Sequence, residues 1–314
     1  MTEFGFIEHL RNLCKSLPDG GFEGIGDDCA IYPIGDGDSF VITTDALNEG
    51  IHFLRHATSA AEIGAKSLAV NISDVAAMGA KPIASLLAIG IPADLPKGWI
   101  EDFTQGYIEA SKRYGVALIG GDTTASVSGI TITVTAIGRA KSCNIKRRSA
   151  AKVGDTILVA APLGGSAVGL HDILSGQLST AAADTHRNPE PQIVEGQWFG
   201  EQPCVHAMMD LSDGLASDLR HILEESKVGA EVKVNSIPLY EGATIEQAVS
   251  GGEDYKLLLT ADSNAIDLLL QQFLDRFGCK LYPIGSIVAN GEHKIKWLKE
   301  GVEITPEWRG FEHF

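Results

Sequence analysis

Basic residues are scarce in this chain: 25 Lys and Arg stand against 41 Asp and Glu, a formal charge of −16. That balance argues against nucleic acid or an anionic membrane as partner, because neither polyanion gains from a negative surface. The usual nucleotide signatures are missing too. There is no G-x-x-x-x-G-K-[ST] loop, no G-x-G-x-x-G after a strand, no protein-kinase set and no G-x-S-x-G elbow. The five cysteines (Cys14, Cys29, Cys143, Cys204, Cys279) are odd in number and never spaced C-x-x-C. This disfavours a disulfide framework or a thiolate zinc site and favours a reducing compartment. No run approaches the roughly 20 apolar residues that span a bilayer. The opening MTEFGFIEHLRNL is acidic at its third position and has no apolar h-region, so it does not read as a signal peptide. A cytoplasmic location is expected.

What is present suits two medium domains: 314 residues, 44% hydrophobic, with 35 glycines for tight turns. Strand and helix patterns interleave in both halves, so the class is α/β (α+β), with a boundary where the basic stretch at Lys141 begins, dividing 1–140 from 141–314. Residues 4–17 read as an amphipathic helix. Ser59 and Glu62 form a capping box for a helix reaching about Gly79. Trp99, Phe103, Tyr107, Ala110 and Tyr114 share one face of another helix, closed by Gly115. Val116 to Ile119 predicts a buried strand running into Gly-Gly-Asp-Thr-Thr. The stretch 175–203 predicts a polar surface region, and a helix follows Gly214 with Leu215, Leu219, Ile222 and Leu223 on its apolar face.

The chemistry-bearing pattern is a set of aspartates beside Gly, Ser or Thr at element ends: Asp27, Asp28, Asp45, Asp74, Asp122, Asp210 and Asp213. Any one of them alone is better explained as a turn residue or helix cap. Together they point to a hard cation, because oxygen-only clusters suit Mg²⁺ or Ca²⁺, and Mg²⁺ shares its sphere readily with phosphates. Asp74 also lies on a stripe with Ser67 and Asn71 in an otherwise apolar helix, where a lone carboxylate is costly. Like charges about 4 Å apart repel by roughly 4 kcal/mol at an effective dielectric near 20. An acidic pocket therefore takes a polyphosphate only through metal ions.

The blocks GIGDDCA (24–30), TTDALNEGIHF (43–53), AVNISDVAAMGA (69–80), LIGGDTT (118–124), MDLSDGLASDL (209–219), SGGEDY (250–255) and the closing WRGFEHF resemble, in order, the thiamine-monophosphate kinase family. They span most of the chain. That family belongs with aminoimidazole ribonucleotide synthetase, selenophosphate synthetase and a hydrogenase maturation factor. The resemblance implies a two-domain fold whose N-terminal strands form a barrel across a homodimer. It also implies transfer of the ATP γ-phosphoryl to thiamine monophosphate. By matching position, Asp28, Thr43, Thr44, Asp45, Asp74, Asp122, Asp210 and Asp213 would hold several Mg²⁺ ions. Gly121, Asp122, Arg148 and Ser212 would contact ATP, with Arg147 an alternative to Arg148. His52, Glu253 and Phe311 would contact thiamine monophosphate. The family's Arg-Ser-Gly-Ala is Arg148-Ser149-Ala150-Ala151 here, and the Arg often following GGDTT is Ala125. No general base is expected, since a phosphate oxygen acceptor is already ionised at neutral pH.

Overall fold

The computed structural model describes residues 2–289 and 293–311. The chain order is α1 (Glu3–Cys14), β1 (Ala30–Gly35), β2 (Asp38–Asn48), α2 (Ala60–Ala77), β3 (Lys81–Ile91), α3 (Trp99–Tyr114), β4 (Ala117–Ala125) and β5 (Thr131–Lys141). The second half adds β6 (Thr156–Val159), α4 (Gly165–Leu174), α5 (Ala181–Arg187), α6 (Ile193–Gly200), β7 (Val205–Asp210) and α7 (Leu215–Ser226). It finishes with β8 (Gly229–Lys233), α8 (Ile245–Ser250), β9 (Leu257–Ala261), α9 (Ile266–Phe277), β10 (Tyr282–Val288), β11 (Ile295–Lys299) and β12 (Val302–Ile304). Two sheets result, ordered β1-β2-β5-β3-β4 and β12-β11-β8-β10-β6-β9-β7. The first is an open sheet, antiparallel except for the β3–β4 pair, and it closes no barrel within the chain.

Helix α2 joins the halves. Ser59 and Glu62 form the reciprocal capping box that starts it, and it runs unbroken through Asp74. Its Ile63, Leu68, Ile72 and Val75 share a core with Phe103 and Tyr107 of α3 and with Ile132 and Val134 of β5. α2 and α3 approach closely because both are glycine at the crossing. A Cβ on Gly106 would lie 2.0 Å from the Ala61 carbonyl oxygen, and one on Gly64 2.2 Å from that of Phe103. The second sheet is covered on both faces, as strand alternation dictates. Ile157 and Val159 pack with Leu215, Leu219 and Ile222 of α7, whereas Leu158 packs with Phe199 of α6 and Phe273 of α9.

Two expectations are corrected. Residues 175–203 are not merely surface: Thr180 caps α5, and α6 buries Trp198 and Phe199 while Gly196 sits against the carbonyl of Ala76 in α2. Proline-rich flanks hid helices whose stability comes from tertiary packing rather than from propensity. The strand beginning near Val116 is not buried either, since β4 is exposed along its whole length, with Leu118 40% and Ile119 59% accessible. It is the edge of the sheet. All five cysteines are free thiols, and no helix among the described residues is long and apolar enough to cross a membrane.

Gly106→Ala is expected to destabilise the protein by about 1–3 kcal/mol, because α3 must lift off α2. Urea unfolding measures this, and an unchanged midpoint would show that the close crossing carries no constraint.

Candidate active site

Carboxylates from both halves of the chain converge beside α2. Alternation along β2 turns Thr43 and Asp45 toward the helix and Thr44 to the other face, where the Thr44 hydroxyl donates to the Val134 carbonyl and accepts from Thr135. The polar stripe on α2 answers β2. The Asn71 Oδ1 accepts from the Asp45 amide at 2.9 Å, and the Thr43 hydroxyl donates to Asp74 Oδ2 at 2.5 Å. Asp210, the last residue of β7, accepts from the Ser73 hydroxyl at 2.5 Å. The Ser-Asp dipeptides at 73–74 and 212–213 thus stand in unlike settings, one within a helix and one in a strand-to-helix loop. The turn before β1 contributes Asp28. One carboxylate oxygen from each of Asp28, Asp74 and Asp210 lies within 4.8 Å of the others.

This crowding shows in the protonation of the group. Burial, then the charge of Asp28, pushes Asp210 up to about 8 and Asp45 up to about 6. Asp74 rises well above the usual carboxylate range, through desolvation first and then Asp45 and Asp210. Asp28 is raised by burial despite the guanidinium of Arg148. That guanidinium donates to Asp28 Oδ1 at 2.5 Å. Burial alone would lower the pKa of Arg148, but the charge and hydrogen bond of Asp28, with the charges of Asp27 and Asp218, together raise it. The neighbouring choices separate cleanly. The Asp27 carboxylate accepts from the Arg148 backbone amide at 2.7 Å, and Arg147 turns outward to pair with Glu23. Asp28 and Arg148 are the members that face the cluster.

The cluster opens into a cavity of about 950 Å³. Thr44, Asp45 and Asp74 line one part; His52, Ser212, Asp213, Glu253 and Phe311 line the rest, with Leu47, Ile51, Val70, Leu170 and Leu174 as apolar wall. His52 Nδ1 accepts from the Asn48 amide at 3.0 Å, which in the neutral ring puts the proton on Nε2. Glu253 and Tyr255 adopt left-handed backbone at φ 63° and 49°, an arrangement that costs about 1–3 kcal/mol per residue. Hydrogen bonds from their amides to the carbonyls of Ser212 and Leu211 hold the turn against β7. Between them, Asp254 accepts from the amides of Gly164 and Ser166 at the start of α4, a structural task. The Phe311 amide donates to the Asp213 carbonyl. The rest of the closing motif, 312–314, lies outside the described residues.

Asp218 escaped the sequence reading. It is buried in the first turn of α7, accepts from the amides of Asp213 and Gly214, and rises well above its ordinary range through burial, then Asp213 and Asp210. An acidic residue in the first turn of a helix after Ser-Asp-Gly is the signal that could have found it.

Gly121 and Asp122 are not brought to the cluster within one chain. They stand on β4, separated from β2 by β3 and β5. Three strand spacings of about 4.8 Å place them about 14 Å away along the sheet. Gly121 is obligatory there, because at φ 155° a Cβ would lie 1.7 Å from the Leu87 carbonyl oxygen.

Comparison with known proteins agrees with this architecture. Residues 26–140 match the family of AIR synthase related proteins, N-terminal domain, and 152–298 its C-terminal domain. Thiamine-monophosphate kinase of Haemophilus influenzae is 36% identical over 329 residues, covering 100% of this chain and 98% of the relative. The Bacillus subtilis enzyme of that name is 33% identical, with 100% of each covered. Among solved structures, AaThiL complexed with AMPPCP and TMP superposes with a TM-score of 0.84 at 29% identity, over 100% of this chain and 97% of that one. Hydrogenase maturation protein HypE in complex with ATP, at 19% identity and a TM-score of 0.71 over 94% of this chain and 93% of that one, shares the fold. With a two-domain mixed α/β fold, a carboxylate cluster between the domains and full-length likeness to these enzymes, the chain belongs to the thiamine-monophosphate kinase family.

Proposed function

We propose that the protein transfers the γ-phosphoryl group of ATP to thiamine monophosphate, giving thiamine diphosphate and ADP. The observation that carries this is the convergence of Asp28, Asp74 and Asp210, with Asp74 lining the same cavity as His52, Glu253 and Phe311. The donor set fits Mg²⁺: its ligands are hard carboxylate oxygens, Arg148 pairs with Asp28 of them, and among the described residues the buried Asp28 Oδ2 makes no hydrogen bond. Asp28, Asp45, Asp74, Asp210 and Asp213, with Thr43 and Thr44, would hold several ions. When bound, these supply the positive charge that a loose phosphoryl-transfer transition state requires.

The protein's own part is positioning. Arg148 and the Ser212 loop face the nucleotide, and His52 offers an N–H to the acceptor. Glu253 meets the cationic thiazolium or the aminopyrimidine, and Phe311 closes the ring-binding side. No side chain needs to remove a proton, because the attacking phosphate oxygen is ionised already. The division at 1–140 and 141–314 gives each domain one wall of this cleft.

Gly121 and Asp122 enter through a second copy. An edge strand exposed on both faces invites pairing, and joining two such open sheets at β4 closes the barrel across a homodimer. The nucleotide site then holds Asp45 of one chain and Asp122 of the other.

Three outcomes follow. ADP is released with thiamine monophosphate and Mg²⁺, and neither without Mg²⁺ nor with formylglycinamidine ribonucleotide or selenide as acceptor. Asp45→Asn lowers kcat at least a hundredfold, whereas His52→Ala acts chiefly on KM for thiamine monophosphate; normal turnover in Asp45→Asn rules out the metal assignment. A refolded equimolar mixture of Asp45→Asn and Asp122→Asn chains regains about a quarter of wild-type activity, since half of its dimers carry one intact site. No recovery would place Asp122 in its own chain's site.

A pH test addresses the cluster itself. Asp210 titrates near 8 in the folded protein and about 4 when unfolded. The folded state therefore holds the proton more tightly. Its contribution to stability is full below about pH 4 and is lost as pH rises through about 8. In EDTA the protein should melt at a higher temperature at pH 5.5 than at pH 8, and Mg²⁺ should raise Tm more at pH 8. Equal Mg²⁺ shifts at both pH values would remove Asp210 from the ligand set.

A further inference from the structure

Among the buried cations that the phosphate chemistry leaves unused, one reaches the acceptor side of the site. Lys66 lies in the middle of α2 with its side chain 1% exposed, among Ile63, Val70 and other apolar residues. An ammonium so placed persists only when paired and hydrogen-bonded. Its Nζ donates to the main-chain carbonyl of His52 at 3.1 Å and lies 3.1 Å from both carboxylate oxygens of Glu253. It thus ties the loop after β2, in the first half, to the strained Gly-Gly-Glu turn of the second. His186 stands beside them, its Nδ1 2.9 Å from the Ser166 hydroxyl and 3.4 Å from Glu253 Oε2. Burial, then the charge of Lys66, pushes His186 down to about 4, so the ring is neutral at physiological pH. The charge on Glu253 is balanced by Lys66.

We propose that Lys66 is the positioning residue of the acceptor site, holding the Glu253 carboxylate and the His52 loop in one geometry so that both meet the heteroaromatic end of the acceptor. The inference rests on the reading of His52 and Glu253 as acceptor contacts. A compact ammonium suits the task, since it can donate to a carbonyl and a carboxylate at once from a stiff helix. Without it, Glu253 in its left-handed turn loses the Lys66 ion pair, and the His52 carbonyl loses this donor. The nucleotide end, held by Asp28, Asp74, Asp210 and Arg148, makes no contact with Lys66 in the hydrogen bonds and ion pairs described above.

The test is steady-state ADP release by the full-length protein with Mg²⁺, varying each substrate at saturating levels of the other. Lys66→Met should raise KM for thiamine monophosphate at least tenfold and change KM for ATP less than twofold. In a Glu253→Gln background the same change should add clearly less than tenfold, because only the His52 carbonyl contact then remains to be lost. An unchanged KM for thiamine monophosphate, an equal rise in both KM values, or additive effects would overturn the proposal. If Lys66→Met fails to fold, the double variant Lys66→Met/Glu253→Gln, with both charges removed, is compared with Glu253→Gln; a further rise of tenfold or more overturns it as well. Wild-type protein that released no ADP with thiamine monophosphate would overturn the kinase reading itself, and this inference with it. An active wild type with an undiscriminating Lys66→Met would overturn the inference alone.

Discussion

Mutual repulsion among carboxylates held out of water is the constraint around which this molecule is arranged. Asp28, Asp45, Asp74 and Asp210 come from a turn, two strands and a helix, and each is raised above its ordinary pKa chiefly by burial. Unrelieved, one such pair at about 4 Å costs roughly 4 kcal/mol at an effective dielectric near 20. The surroundings offset part of this with hydroxyl donors from Thr43 and Ser73 and the guanidinium of Arg148. The remainder is stability given up locally for a site that favours cations, as functional sites commonly do.

Helix α2 makes that arrangement possible because it is buried on nearly every side. The first core, α6 and β7 all lean on it, so its polar residues point into protein rather than into solvent. Asp74 and Lys66 lie eight residues apart, a separation of about 12 Å along a straight helix. One rigid element therefore supports both the cluster and the Glu253 turn. Distances between two reacting groups are best kept by such an element, since small misplacements cost rate steeply.

The first sheet shows a second economy. In this sheet β2 is internal, whereas β4 is the edge, and Leu86, Leu118 and Ile119 remain exposed in the single chain. Gly121, whose missing side chain lets β4 lie against Leu87, belongs to this open part. A single chain so built keeps an exposed sheet edge at β4, which the homodimer proposed above would cover.

Much of this was legible locally. Helix α3 with its Gly115 stop, the Ser59–Glu62 capping box and the apolar face of α7 follow from periodicity and capping, which act within a few residues. Helices α5 and α6 were not legible, because both are short and stable only by packing on other segments, α5 through Ala182 and Ala183 and α6 through Trp198 and Phe199. By itself the sequence determined that aspartates end its strands and turns beside small residues, in a chain too acidic to hold phosphate without cations. Tertiary structure alone decided which of them meet. Asp28 faces the cluster while Asp27 caps an amide, Arg148 turns inward while Arg147 finds Glu23, and Asp122 stands three strand spacings from Asp45. Strand order, burial and charge pairing join residues far apart in sequence, and no local pattern carries them.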